Sequence, residues 1–490
     1  MNTPIRKLAA VVAIMFVALM GAATWVQFFQ AASLNADNRN VRTLYRDYGT
    51  YRGPIVVDGT AVVYSTPVND PFNYQRTYVD GPLYAHAGGF YSIAYGLSGI
   101  EKSQDALLSG EADSLFWSRL TDLLAGRDQE GGAVELTIRG GVQSAAAEAL
   151  GDQVGAVVAL DPRTGEVLAM YSSPSYDPAV LAAHNTAAVS ESYRSLADDP
   201  VSPLINRAIG GDTYPPGSIF KLVVAAAALE AGATPQTVVN APTELELPQS
   251  TSTLGNYGGD PCVEEGDTTT LADALRTSCN TAFADLGMNL GWDAIAREAA
   301  EFGWGATIEV PLRVTPSQLP EDPDDAQVAL SSIGQYDVKA TPLQVAMVGA
   351  AIANEGTLMK PYLVASTRGP DLRIIDLAEP SVYSQPLTVE DAAALRDMMV
   401  LAVEDGTGRN AQIADVSVAG KTGTAQTGVE GEEDHAWFVG FAPADNPTVV
   451  VAVVVENGGT GGSVAAPIAK SVLEAGLAAE EERVAKDGAQ

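Results

Sequence analysis

The longest apolar run in the chain lies at its start. Leu8 to Phe29 holds twenty-two residues without a charge, directly after Arg6 and Lys7. A helix of that length spans a hydrocarbon core, and the flanking positive charges keep residues 1–7 on the cytoplasmic side. Apolar Trp25, Val26, Phe28 and Phe29 continue past the small-residue stretch "GAAT", which favours an uncleaved anchor at 8–29 over a cleaved leader. Residues after about 35 are then expected outside the cytoplasm, in a single-pass membrane protein.

A polar run follows, and up to residue 153 the apolar positions come in short, mixed stretches. "AVVYST" and "RTYVDGP" read as strands and "DSLFWSRLTDLLAG" as a helix. "GGAVELTIRGGVQSAAAEALGDQ" reads as a strand, a Gly-Gly break and an amphipathic helix. Residues 35–153 therefore form a small α+β module.

From Gly155 the pattern sharpens. "GAVVALDPRTGEVLAMYSS" is two apolar runs joined by a turn, and "HAWFVGFAP" and "TVVVAVVVEN" make a second hairpin across "ADNP". The second pair is apolar at every position, so both faces of its sheet must be covered. Helical patterns lie between the hairpins at 217–231, 268–290, 292–303, 341–354 and 389–403. Strands, then helices, then strands again predict an α+β domain over 154–478 with an antiparallel sheet flanked by helices. The remainder, 479–490, is an acidic tail.

Charge narrows the possible partners. The 490 residues carry 28 basic against 61 acidic side chains, a formal net of −33, which repels phosphate backbones and argues against nucleic acid. The three histidines are scattered, without HExxH or CxxC, so no metal or cofactor is expected. Cys262 and Cys279 are the only cysteines. In an oxidising compartment they are compatible with one disulfide tying the segment between them, the alternative being two reduced thiols.

"TYPPGSIFKLVVAAAALE" carries the first chemical signal: Ser218 at a loop-to-helix junction and Lys221 three residues on. Residues three apart share a helix face, and burial lowers a lysine pKa towards that of a usable base for a serine nucleophile. The helix N-terminus suits an oxyanion. Taken alone, the pair reads equally well as a helix cap and a snorkelling lysine. "TSCNTAFADLG" adds Ser278 and Asn280, and "VAGKTGTAQ" adds Lys421, Thr422, Gly423 and Thr424. The order SxxK, SxN, KTG is the signature of penicillin-binding proteins and class A β-lactamases.

With "NYGGDPC", "NRA", "GTG" and "HAWFVGFAP", the chain resembles a class B penicillin-binding protein over nearly its whole length, close to the actinobacterial penicillin-binding protein A type. The resemblance implies a transpeptidase domain preceded by a non-catalytic dimerisation or pedestal domain. It implies that Ser218 is acylated, with Lys221 as its base. Ser278 would relay protons, and Asn280 would hold Lys221 and the substrate amide. Lys421, Thr422 and Thr424 would clamp the donor carboxylate from a strand edge, and Gly423 would let the substrate backbone approach. The N–H groups of Ser218 and Thr424 would form the oxyanion hole.

Two departures stand out. Cys279 takes the middle place of the second motif, where on a helix it would point away from its neighbours. "YRGPIVVDG" keeps Arg52 and Gly53 of the family's N-terminal motif but not the full Asp-Arg-Asn-Gly run. His435, at a strand start beside the KTG segment, reads as structural.

The implied activity is D,D-transpeptidation of peptidoglycan stem peptides, with β-lactams as covalent mimics. A D,D-carboxypeptidase, a serine β-lactamase or a non-catalytic β-lactam-binding scaffold are the alternatives. No glycosyltransferase segment is evident, so a separate glycosyltransferase is expected among membrane-bound wall-synthesis partners.

Overall fold

The computed structural model describes residues 3–30, 34, 45, 48–211, 213–429 and 431–487. Most of the polar run after the apolar helix, and the last three residues of the acidic tail, lie outside the described residues. Helix α1, Thr3–Thr24, continues into a single π-turn, Trp25–Phe29, with its side chains exposed throughout. It is long and apolar enough to cross a membrane.

The first sheet has six strands. From the N-terminal third come β1 (Ile55–Val57), β2 (Thr60–Pro67) and β3 (Tyr74–Tyr78). Helix α2 (Phe116–Ala125) follows, then β4 (Ala133–Leu136). Two further strands arrive from more than two hundred residues downstream, β7 (Val364–Arg368) and β8 (Ile374–Leu377), giving the order β8-β7-β4-β1-β2-β3. Pairing is antiparallel except between β1 and β4. Ile55, Val134, Leu136, Ile138 and Leu108 make its apolar side. Next to it lies a buried ion cluster. Glu101, fully enclosed, accepts from Arg52 Nε at 2.6 Å and Arg76 Nε at 2.6 Å, and Arg52 Nη1 also reaches Asp105 at 2.6 Å.

Helix α3 (Gly140–Leu150) leads into the second sheet, whose strands are β5 (Gly155–Leu160), β6 (Val167–Ser173), β9 (Ala419–Ala425), β10 (His435–Ala442) and β11 (Val449–Val455). It is antiparallel throughout, in the order β9-β10-β11-β5-β6, with β9 at one edge. Both hairpins read from the pattern are present. The all-apolar β11 is explained by cover on both faces. Val449, Val451 and Val453 pack towards α3 and the C-terminal helix α10 (Ala466–Asp487). Val450, Ala452 and Val454 face the buried helices on the other side.

Those helices are α4 (Lys221–Glu230), α8 (Pro342–Ala353) and α9 (Val389–Glu404), with α7 (Trp292–Glu301) outside them. The continuous helix expected over 268–290 is corrected: Thr268–Thr270 is a short strand, α5 runs Leu271–Arg276 and α6 runs Asn280–Leu290. The break falls on the second motif. Likewise, residues 217–219 form a 3₁₀ turn rather than the start of α4.

Candidate active site

Ser218 stands on that 3₁₀ turn, partly exposed, at the mouth of α4. The turn is pressed against the edge strand β9. Gly217 has φ +53°, its N–H donates to Gly334 O at 3.0 Å, and an added Cβ there would lie 2.5 Å from Thr424 O. Only glycine combines that left-handed backbone with that approach. Gly423 serves the same contact from the strand side. A Cβ there would meet Ile219, Pro216 O and Trp437, each at 2.9 Å. Its smallness therefore also seats β9 against the Ser218 turn.

Lys221 and Lys421 come from opposite sides, one from α4 and one from β9, and both are fully enclosed. They meet at Ser278. Lys221 Nζ donates to Ser278 O at 2.7 Å and Asn280 Oδ1 at 2.7 Å, with Ser278 Oγ at 3.4 Å. Lys421 Nζ donates to Ser278 Oγ at 2.7 Å and to Thr422 O at 3.0 Å. Burial, and then the neighbouring Lys421, pull Lys221 well below the ordinary lysine range. Burial brings Lys421 down to about 7. Both amines are thus shifted towards their neutral forms.

The second motif holds this geometry through its own backbone. Ser278 has φ +60°, a left-handed conformation uncommon for serine, which turns its carbonyl to Lys221. Cys279 is the N-cap position of α6 and is bridged to Cys262. The middle residue of the motif thus does not point idly away from a helix: it anchors the break. Thr422 and Thr424 line one cleft of about 1590 Å³ together with Ser218, Ser278 and Asn280. His435 accepts from Asn457 N–H at 3.1 Å through Nδ1, and burial lowers its pKa. It pairs with Ala425 at the end of β9, a structural position.

Comparisons with known proteins give the family. Residues 155–474 match the penicillin binding protein transpeptidase domain, and 52–134 match the penicillin binding protein A dimerisation domain. The peptidoglycan D,D-transpeptidase PbpA of Mycolicibacterium smegmatis is 45% identical, over 97% of this chain and 99% of that protein. A ceftriaxone acyl-enzyme complex of penicillin-binding protein A from Mycobacterium tuberculosis superposes with a TM-score of 0.86 at 43% identity, covering 88% of this chain and 100% of the other. The D,D-transpeptidase domain of an Eggerthella lenta peptidoglycan glycosyltransferase matches at 34% identity and TM-score 0.77, covering 88% and 99%. The chain belongs to the penicillin-binding protein transpeptidase family.

Two residues of this penicillin-binding protein escaped assignment from sequence. Asn256 Oδ1 accepts from Asn280 N at 2.9 Å and Thr281 N at 3.2 Å, capping the start of α6 from a loop twenty-four residues earlier. Thr407 Oγ1 lies 2.6 Å from Thr422 Oγ1, fixing that hydroxyl at the cleft wall. Their signals were in view, as the Asn of "NYGGDPC" and the Thr of "GTG". Nothing local in either stretch says what it touches.

Proposed function

We propose that this chain is a peptidoglycan D,D-transpeptidase that forms its acyl-enzyme at Ser218. The supporting observation is the convergence of two buried lysines on Ser278 at the floor of the cleft into which Ser218 opens. A neutral amine has two N–H groups and one lone pair. With its N–H groups directed to Ser278 O and Asn280 Oδ1, Lys221 keeps a lone pair for the Ser218 hydroxyl proton.

Ser218 Oγ attacks the penultimate D-Ala carbonyl of a donor stem. The N–H groups of Ser218 and Thr424 hold the oxyanion. The proton passes through Ser278 to the departing terminal D-Ala. An amine of a neighbouring stem then takes the acyl group and frees Ser218. Thr422 and Thr424 bind the donor carboxylate with Lys421, whose charged form that anion favours. β-Lactams acylate the same serine.

The membrane reading is single-pass, with α1 as anchor and the catalytic domain outside the cytoplasm. Residues 35–153 are a non-catalytic pedestal or dimerisation domain, 154–478 the transpeptidase domain, and a separate glycosyltransferase supplies the polymer. Fluorescent penicillin should label wild type and not Ser218→Ala. Stoichiometric labelling of that variant would remove the Ser218 assignment, and an unlabelled wild type would remove the acyl-enzyme reading itself. A pentapeptide donor with an acceptor amine should yield the cross-linked product; hydrolysis alone would mean a carboxypeptidase.

A further inference from the structure

Among the described residues of the N-terminal domain, helix α2 presents a run of large apolar side chains to the outside. Phe116, Trp117, Leu120 and Leu124 are 52%, 75%, 37% and 82% exposed. At 100° per residue they fall within an arc of about 100°, a single apolar stripe. The stripe covers no core of its own, and scattered exposure does not produce such spacing.

Its place in the fold says what covers it. The segment carrying α2 leaves and rejoins the domain at the point where the chain from α1 arrives. Gly53 N–H donates to Leu108 O at 2.8 Å, Gly131 N–H donates to Tyr51 O at 3.0 Å, and Tyr51 bridges Glu130. A second apolar projection sits at the same end. The β7–β8 turn abuts Leu115 through Gly369 and presents Leu372, 71% exposed and at φ +64°. Only eighteen residues separate Gln30 at the end of the apolar N-terminal segment from Gly49, and a stretch of that length spans at most about 65 Å.

We propose that α2 lies in the membrane–water interface of the bilayer that α1 spans, with the Leu372 turn beside it. This rests on the reading of α1 as a membrane anchor. An aromatic-rich stripe on a helix parallel to the surface is the form such interfacial helices take, with Trp at headgroup depth. Residues 111–130 hold more acid than base, so the attraction is apolar rather than ionic and does not need anionic lipid. The helix would hold the N-terminal domain against the bilayer and so set the height of the transpeptidase cleft above it.

Both native cysteines are bridged, so one introduced thiol can be labelled selectively. The full chain carrying Leu124→Cys, tagged with an environment-sensitive fluorophore, is reconstituted in zwitterionic vesicles, with Val238→Cys as a distant exposed control. Penicillin labelling confirms that each variant is folded. The Leu124 probe should shift to the blue, and headgroup-depth nitroxide lipid should quench it about twofold or more, as burial of roughly 5–10 Å requires; the control probe should do neither. If the protein floats with vesicles but the Leu124 probe is unshifted, the interfacial helix is wrong while the anchor stands. A protein that does not float at all removes the anchor and the proposal together. A shift that grows with protein concentration and resists lipid quenching would make the stripe a contact with a second copy or another protein, and would overturn the proposal.

Discussion

In the N-terminal domain, Arg52 and Arg76 are buried around Glu101, and Asp105 completes two cations with two anions. In the cleft, Lys221 and Lys421 are buried around Ser278 and Asn280, which carry no charge. Burial alone would push the Glu101 carboxyl up, but Arg76 and Arg52 outweigh it and hold it below the usual carboxylate range. The lysines have no such partner among their hydrogen bonds, so burial pushes both towards the neutral amine, and the charge of Lys421 pushes Lys221 further. The same physical cost, desolvation of charge, is offset by pairing in one place and relieved by proton loss in the other. The first arrangement keeps its charges and holds structure; the second favours neutral amines, as the proposed base requires.

Lys221→Arg should break the contrast most severely. A guanidinium stays protonated, so acylation by penicillin should fall by roughly 10²–10⁴-fold, the usual worth of a positioned base, in stopped-flow or labelling kinetics. An arginine variant that acylates at nearly the wild-type rate would show that this position supplies charge and not proton transfer.

Next in size is Glu101→Gln, which leaves two arginines facing a neutral amide. Removing one partner of a buried pair costs roughly 3–5 kcal/mol, read as a lower denaturation midpoint. Acylation per folded molecule should be unchanged, because the cluster takes no part in the chemistry. A variant of wild-type stability would mean that water already screens these arginines.

Reduction of the Cys262–Cys279 bridge should act on the cleft alone. The bond joins residues 17 apart, worth roughly 3 kcal/mol in the chain-entropy model, and it anchors the left-handed Ser278. Acylation should slow while the hydrogen-exchange protection of the Glu101 region stays as it was. Equal rates with and without reductant would show that Asn256 and the lysines hold Ser278 unaided.

The last test reads a slope with pH. Lys421 titrates at about 7 in the folded protein, against an ordinary 10.5. Between those values the unfolded chain binds the extra proton, so this group makes stability rise with pH through that window. Lys421→Met abolishes the term. Its melting temperature should therefore exceed that of wild type most below pH 7, and the difference should shrink as pH rises towards 10. A pH-independent difference would place the charge of Lys421 elsewhere.

The two hairpins and the helices at 292–303, 341–354 and 389–403 were readable because each is announced by a local apolar pattern and a turn. The motifs SxxK, SxN and KTG were readable as residue types at fixed offsets. Helix 268–290 was misread because its sequence is helical on both sides of Ser278. The interruption comes from contacts with Cys262, Asn256 and Lys221, all distant in sequence. The packing role of Gly423 was not legible for the same reason. Its neighbours Ile219, Pro216 and Trp437 belong to other segments.

By itself, the sequence determined the apolar N-terminal span, the α+β character, the identity of the chemical groups and their order along the chain. Those follow from short-range periodicity and from the chemistry of side chains. Tertiary structure alone decided that β7 and β8 join the N-terminal sheet, and that two lysines 200 residues apart share one hydroxyl. It alone decided that, among the described residues, these lysines meet no carboxylate whereas Arg52 and Arg76 do. The solvation of a charge depends on what surrounds it in space, and only the packed fold fixes those surroundings.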